Sequence, residues 1–354
     1  MCHRSPTLKT SSLAVLLFCG SGLLAGSTAT AAQTPPAAAA ADSLDARIAR
    51  VQAALAAGSG RPADAIRELT AILAIDPKRA DAHLLLGMAY RMTGSAEMNG
   101  EARAELVQAL DLDPDLVPAR FLLAQLYLDL GRPAGARDTL TAGLAQHPGQ
   151  PQMATLLAEA ERQLGHPERA MELARQALQA DPSLLQARYY LALALVDAGR
   201  RDDAIRELEA VAAAGGNPAD TNLALGNAYL DAGRLEAATA ALGKAVAADP
   251  ARADSHLALA RAYRLRRLPD RARAQLALAK PAVPAIGIAH NPLEAEFYME
   301  LGLLDLQQGR LTTAAGAFQR VLEIDPGNEA AARHLEEARR RLRAGSRPPG
   351  GGRR

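Results

Sequence analysis

The sequence predicts an all-α fold: a right-handed α-solenoid of about eight helix–turn–helix repeats, followed by a C-terminal capping helix. Three observations predict it. Small and large apolar residues recur with a spacing of 34 residues, a glycine recurs near the middle of each copy, and a proline recurs near its end. The clearest copy is TNLALGNAYLDAGRLEAATAALGKAVAADP, residues 221–250. It reads as two short helices broken at Gly233 and stopped at Pro250. Helices of about 12–15 residues are marginal in isolation. Such a pair therefore needs neighbours that bury its apolar face, and stacking like units supplies them.

When each repeat is numbered from position 1, the pattern is physical. Position 8 is small where two helices approach: Ala53, Gly87, Ala124, Ala158, Ala192, Gly226, Ala260 and Gly302. Position 20, on the second helix, is alanine throughout, from Ala65 to Ala314. Position 7 is Leu from Leu86 to Leu301, with Gln52 as the exception. Position 24 is the large apolar plug, Leu69 through Phe318, with Ala174 as the small exception. Position 15 is the turn glycine that accepts positive φ, from Gly60 to Gly309, and Arg267 departs from it. Position 32 is proline, which ends the second helix, and Gly216 departs there.

These residues resemble the tetratricopeptide repeat family. The L-G-x-x-Y pattern (Leu86-Gly87 with Tyr90, Leu225-Gly226 with Tyr229), the repeated alanine and the closing proline all match it, over about Ala46 to Arg343. One departure is consistent. Where the family carries Trp at position 4, this chain has His83, Arg120, Ala154, Arg188, Asn222, His256 and Tyr298.

In chain order, residues 1–32 read as a cleaved signal peptide. Arg4 and Lys9 precede the apolar run 13–18, and Ala29-Thr30-Ala31 is a small-residue cleavage site. An uncleaved anchor and a lipid attachment at Cys19 are alternatives, although Phe18 is bulky for the residue before a lipidated cysteine. Both cysteines, Cys2 and Cys19, fall in this segment. The expected address is therefore periplasmic or secreted, in a mature chain without cysteine, and contact with a membrane is expected only if the N-terminus is uncleaved or lipidated. Residues 33–45 are an Ala/Pro-rich linker in which Asp42 or Ser43 is placed to cap the first helix. Repeats follow at 46–79, 80–116, 117–150, 151–184, 185–218, 219–252, 253–286 and 295–328. The second repeat carries three extra residues, within Ser95 to Gly100, as a tolerated loop insertion or a contact loop. The Pro-rich stretch 280–294 breaks register as a hinge or a benign insertion. Residues 329–343 read as the capping helix, and 344–354 as a disordered tail.

Composition narrows function. The formal net charge is +1, and removal of residues 1–32 leaves 38 bases against 39 acids, which argues against non-specific nucleic-acid binding. Histidines 83, 147, 166, 256, 290 and 334 show no i, i+4 pair, and no phosphate loop or nucleophile elbow is present. No enzyme, metal or cofactor is expected.

The family resemblance implies that positions 2, 5, 9, 12 and 13 of the first helices face a groove. The candidate protein-binding residues are Leu84, Phe121, Gln125, Tyr189, Leu223, Asn227, Leu257, Arg261 and Arg264. Six of the eight residues at position 5 are apolar or aromatic, which suits an extended peptide or a helix in an apolar channel. Contact with the neighbouring repeat is the competing role for these residues. The terminal-carboxylate clamp of chaperone-binding relatives pairs Lys at position 5 with Asn at position 9. Here Asn227 is accompanied by Leu223, so that clamp is not expected. Arg261, Arg264, Arg266 and Arg267 form a cationic cluster, open either to an acidic partner or to solvent. The expected role is a protein-interaction scaffold of the bacterial envelope that assists a secretion, pilus or polysaccharide-export machine. The alternative is a carbohydrate-handling module built on Phe121, Tyr189 and the tyrosines at position 11.

Overall fold

The computed structural model describes residues 43–279 and 292–345. Among them are seventeen helices and no strand. The chain divides into two compact units, one ending at Pro182 and the other beginning at Ser183.

The first unit holds α1 (Leu44–Ala56), α2 (Pro62–Ile75), α3 (Ala80–Met92), α4 (Met98–Leu112), α5 (Val117–Asp129), α6 (Pro133–Gln146), α7 (Pro151–Gln163) and α8 (Pro167–Ala180). The second holds α9 (Leu185–Asp197), α10 (Arg201–Ala213), α11 (Pro218–Asp231), α12 (Leu235–Ala248), α13 (Ala253–Leu265), α14 (Pro269–Ala279), α15 (Pro292–Gln307), α16 (Leu311–Ile324) and α17 (Glu329–Gly345).

Local chemistry sets the helix ends. Proline opens α2, α6, α7, α8, α11 and α14, where its missing N–H has no partner to lose. Aspartate closes many second helices. Asp76, Asp113 and Asp249 are extended, as a residue before proline must be. Their carboxylates then accept from the amides of Lys78, Asp115 and Ala251 at 3.0–3.2 Å. Where proline is missing, at Gly216, α10 stops on Gly215 at φ +77, and Asn217 caps α11 by accepting from Ala219 and Asp220. Ser43 caps α1, accepting from the Ala46 amide at 3.2 Å.

Each odd-numbered helix from α1 to α15 packs on the even-numbered helix after it, and within a unit each even-numbered helix packs on the next odd-numbered one. Successive odd-numbered helices also touch: α1 with α3, α3 with α5 and α5 with α7 in the first unit, then α9 with α11, α11 with α13, α13 with α15 and α15 with α17 in the second. Successive even-numbered helices make no comparable contact among the described residues. The odd-numbered helices thus form the crowded side of each stack.

The position-20 alanines and position-24 plugs lie in the core, with Leu69, Leu106, Leu140, Leu208, Leu242 and Phe318 at 0% exposure. The small residue at position 8 is a steric requirement. A Cβ on Gly226 would stand 2.4 Å from Leu242 Cγ, and one on Gly302 2.7 Å from the Phe318 ring.

The first pair departs from the sequence expectation. Its core residues are Ile48, Val51 and Leu55, while Gln52 and Ala53 are exposed. The αL turn residue is Gly58, at φ +60, rather than Gly60. α1 ends at Ala56, two repeat positions earlier than the later first helices, so the αL glycine of its five-residue turn, 57–61, also comes two positions early. The insertion at Ser95–Gly100 is partly absorbed by α4, which begins at Met98. Residues 1–42, 280–291 and 346–354 lie outside the described residues, and with them the expected leader, most of both the expected linker and the Pro-rich stretch, and nearly all of the expected tail.

Candidate functional site

The odd-numbered helices present position 4 at their entry, position 5 beside it, and positions 9, 12 and 13 one to two turns further on. Position 4 is a polar clasp in three of the repeats, at His83, Arg120 and His256. His83 bonds the Pro77 carbonyl through Nε2 at 3.1 Å and the Glu105 carboxylate through Nδ1 at 2.6 Å. His256, buried, meets the Pro250 carbonyl at 3.0 Å and Gln275 at 2.7 Å. Arg120 donates to the Pro114 carbonyl and to Gln146. Each ties the start of a first helix to the proline turn before it and to its own second helix.

Position 5 packs inside the stack. Phe121, Leu223 and Leu257 are 9%, 8% and 5% exposed. Leu223 lies with Leu242 and Leu259, and Leu257 with Leu276, Phe297 and Leu304. Leu84 and Tyr189 are half-buried; Leu84 packs against Ala119 and Leu122, and Tyr189 against Leu208 and Leu225. The clusters around Leu84, Tyr189, Leu223 and Leu257 extend into the next repeat. The apolar channel expected at position 5 is therefore closed at Phe121, Leu223 and Leu257, and Phe121 offers no open aromatic platform.

Further along these helices the exposed residues lie mainly at position 13, with position 9 open on α11 and α13, while Gln125, Glu159 and Leu230 are buried. In the first unit, Arg91 donates to Gln125 at 3.3 Å and to Asp129 at 2.9 Å, joining α3 to α5. Burial pulls the Arg91 guanidinium below its ordinary value, against the opposing attraction of Asp129. On α7, Arg162 grips Glu159 with two bonds of 2.8 and 2.9 Å, and Gln163 adds a third at 2.7 Å. Both members of this ion pair are under a tenth exposed. In the second unit, Asn227 and Asp231 are exposed on α11. Arg264 of α13 holds Glu300 of α15 with bonds of 2.6 and 3.2 Å. Arg261 stands 4.0 Å from the same carboxylate and is exposed.

Half of the cationic cluster is therefore neutralised within the chain. Arg264 faces Glu300, Arg266 lies 3.4 Å from Glu236, and Arg273 and Arg310 share the buried Asp305. Arg267 meets a neutral partner: with the Gln307 amide turned so that its oxygen faces the guanidinium, that oxygen accepts from it at 2.6 and 3.2 Å. Residues at the same positions that the sequence reading passed over are Met88, Met92, Leu193 and Leu265. Their signal is the i+4 and i+8 spacing from position 5 on the same helix face.

Among the described residues, no three potential metal ligands converge, and no helix is long and apolar enough to cross a membrane. A surface depression of about 590 Å³ is open and lined by Arg200, Arg201, Asp202, Asp203, Asp231 and Arg234, among others. Several of these side chains already pair with one another.

Tetratricopeptide repeat models match residues 95–160 and residues 48–97, 223–285 and 285–329. A model of anaphase-promoting complex, cyclosome, subunit 3 matches residues 141–211. No curated protein sequence matches the chain. Among solved structures, a chain of the APC/C hetero-tetramer Cut9-Hcn1 aligns with a TM-score of 0.62 at 17% identity, covering 83% of this chain. This chain spans only 55% of that one. The human IFIT1 dimer with m7Gppp-AAAA aligns with a TM-score of 0.58 at 18% identity, over 86% of this chain and 72% of its own. A tetratricopeptide repeat protein from Parabacteroides merdae aligns with a TM-score of 0.46 at 16% identity, over 84% and 98%. Identities this low speak to the fold alone. Together with the 34-residue phase and the packed helix pairs, the matched repeats establish that the chain belongs to the tetratricopeptide repeat family, whose helical-repeat solenoids generally mediate protein–protein interactions.

Proposed function

We propose that this chain is a non-catalytic interaction scaffold of the bacterial cell envelope, exported by residues 1–32, and that it receives a partner's peptide or helix along the odd-numbered helices. The observation that carries this reading is the state of positions 9 and 13 on α11 and α13. Asn227, Asp231, Arg261 and Leu265 stand exposed on adjoining first helices, while position 5 beneath them is packed solid. A rigid floor with exposed polar and apolar groups at helical spacing suits recognition of a chain laid across it. Side chains that alternate between Asp and Arg favour a peptide over a polyphosphate, as does the near-neutral charge of residues 33–354. The burial of Phe121 weakens the carbohydrate alternative, which needs open aromatic rings. A role in assembling a secretion, pilus or polysaccharide-export machine follows from the combination of scaffold and export leader.

The test is capture from envelope extract with residues 33–354, beside a variant carrying Leu193→Asp and Asn227→Ala. The expected result is a defined protein partner retained by the parent and lost by the variant, with equal helicity by circular dichroism. Equal capture by both would move recognition to the even-numbered helices and overturn the reading.

A further inference from the structure

Arg267 is the one non-glycine residue with positive φ among the described residues, at +61°. It sits in the turn between α13 and α14. The corresponding turns of the second unit use Gly199, Gly233 and Gly309, at +74°, +71° and +73°. The turn itself is unchanged. The Leu268 amide bonds the Tyr263 carbonyl at 2.9 Å, as Arg200 bonds Leu195 and Arg234 bonds Tyr229, each at 2.8 Å. Nothing in the fold calls for arginine at this place, and glycine would be easier there.

What Arg267 changes is the surface. Position 13 of α9 and α11 is Asp197 and Asp231, but on α13 it is Leu265, exposed by 38%. One turn earlier on the same helix lies Arg261, exposed and only 4.0 Å from Glu300, whose two oxygens are already held by Arg264. Beyond Leu265 lies Arg267, whose guanidinium meets an uncharged amide rather than a carboxylate. No acidic residue occurs between Asp254 and Asp270. Along the odd-numbered helices of this unit, the exposed charge therefore reverses, from Asp231 on α11 to Arg261 and Arg267 around α13. An exposed leucine sits between two cations that lack a full carboxylate partner.

We infer that the end of α13 is a docking site for an acidic peptide segment, with an aliphatic side chain seated on Leu265 and two carboxylates meeting Arg261 and Arg267. Charge complementarity carries the assignment. Two separate cations call for two acidic side chains on the partner, and guanidinium groups hold carboxylates through paired, directional bonds. The inference rests on the scaffold reading above and adds the chemistry of the partner at one place on that face.

The experiment uses residues 33–354 and three fluorescein-labelled probes: a peptide of alternating Asp and Leu, its Asn/Leu counterpart and its Lys/Leu counterpart, compared by anisotropy at low and physiological salt. The Asp/Leu peptide is expected to bind at least tenfold more tightly than either counterpart. Arg261→Gln with Arg267→Gly should cut that affinity at least tenfold. Glycine is what the neighbouring turns already carry at the second position, so folding is preserved and circular dichroism checks it. Equal binding of the Asp and Asn peptides, or equal affinity of parent and variant, overturns the inference. Loss of binding on Asp231→Ala but not on the arginine changes would overturn it too, while leaving the scaffold reading in place. If an envelope partner is captured equally by the parent and by the Leu193→Asp, Asn227→Ala variant, the scaffold reading is what fails.

Discussion

At Arg267 the backbone carries an L-residue in the left-handed region, at φ +61. A Cβ in that conformation costs roughly 1–2 kcal/mol. The side chain recovers part of this through two bonds to Gln307, at a surface where such contacts contribute modestly. Arg267→Gly is therefore expected to stabilise the second unit by about 1 kcal/mol, raising Tm by roughly 2–4 °C. Calorimetry of the parent and variant checks this, and a lowered Tm would mean that the Gln307 contact outweighs the strain. Gly226 illustrates the opposite constraint. Its φ is ordinary, but a Cβ would collide with Leu242. One position is strained by having a side chain, while the other tolerates none.

Between elements, repeats are joined by arginine clasps as well as by apolar contact. Arg79, ahead of α3, donates to Asp45 of α1 at 2.7 Å and to both oxygens of Asp81 at 2.6 and 3.0 Å. Arg252 repeats the device with Asp220 and Asp254. Burial pushes the Asp81 carboxyl up, but the Arg79 hydrogen bond and charge outweigh it and hold the group below the usual carboxylate range. A carboxylate depressed in the folded state contributes stability that is fully present above its unfolded pKa, about 3.9. That contribution is lost as pH falls through the lower, folded value. Arg79→Ala should therefore be less stable than the parent near neutral pH, and the gap should narrow below about pH 4. Urea midpoints at a series of pH values measure it. A gap that stayed constant into strong acid would assign the effect of Arg79 to packing alone.

For the molecule as a whole, stacking makes stability a sum of repeats and their interfaces. The last interface is closed by α17, whose Leu335 and Ala338 cover Leu306, Ala314 and Phe318. Its outer residues, Arg333, Glu336, Arg339 and Arg340, are exposed and polar, as a cap requires. Removing residues 329–354 should uncover Phe318 and destabilise α15 and α16, while the unit ending at Pro182 keeps its protection. Hydrogen exchange followed by mass spectrometry reads this directly. Uniform loss of protection from α1 to α16 would show that the two units unfold as one.

Amino-acid order alone sets the repeat phase, the helix pairs and the residues where helices of one pair meet. Ala204 faces its own pair for the same reason as Ala136, and Leu208 plugs the same gap as Leu140. Those contacts are local and recur with the sequence period, so they are legible without coordinates. The turn glycines follow likewise, apart from the first pair, where Gly58 replaces Gly60 because α1 ends early, at Ala56. Packing between repeats decides the rest. Whether Phe121, Leu223 and Leu257 face a partner or the next repeat depends on how far one pair rotates against another, a quantity that no 34-residue pattern contains. The packing found here buries Phe121, Leu223 and Leu257 and leaves Asn227, Asp231, Arg261 and Leu265 as open surface. Charge obeys the same division. Arg261, Arg264, Arg266 and Arg267 look like one cationic patch in the sequence, yet Glu300 and Glu236 from other helices neutralise Arg264 and Arg266. Arg261 and Arg267 are left without a full carboxylate partner because pairing is settled by distance in space, not by spacing along the chain.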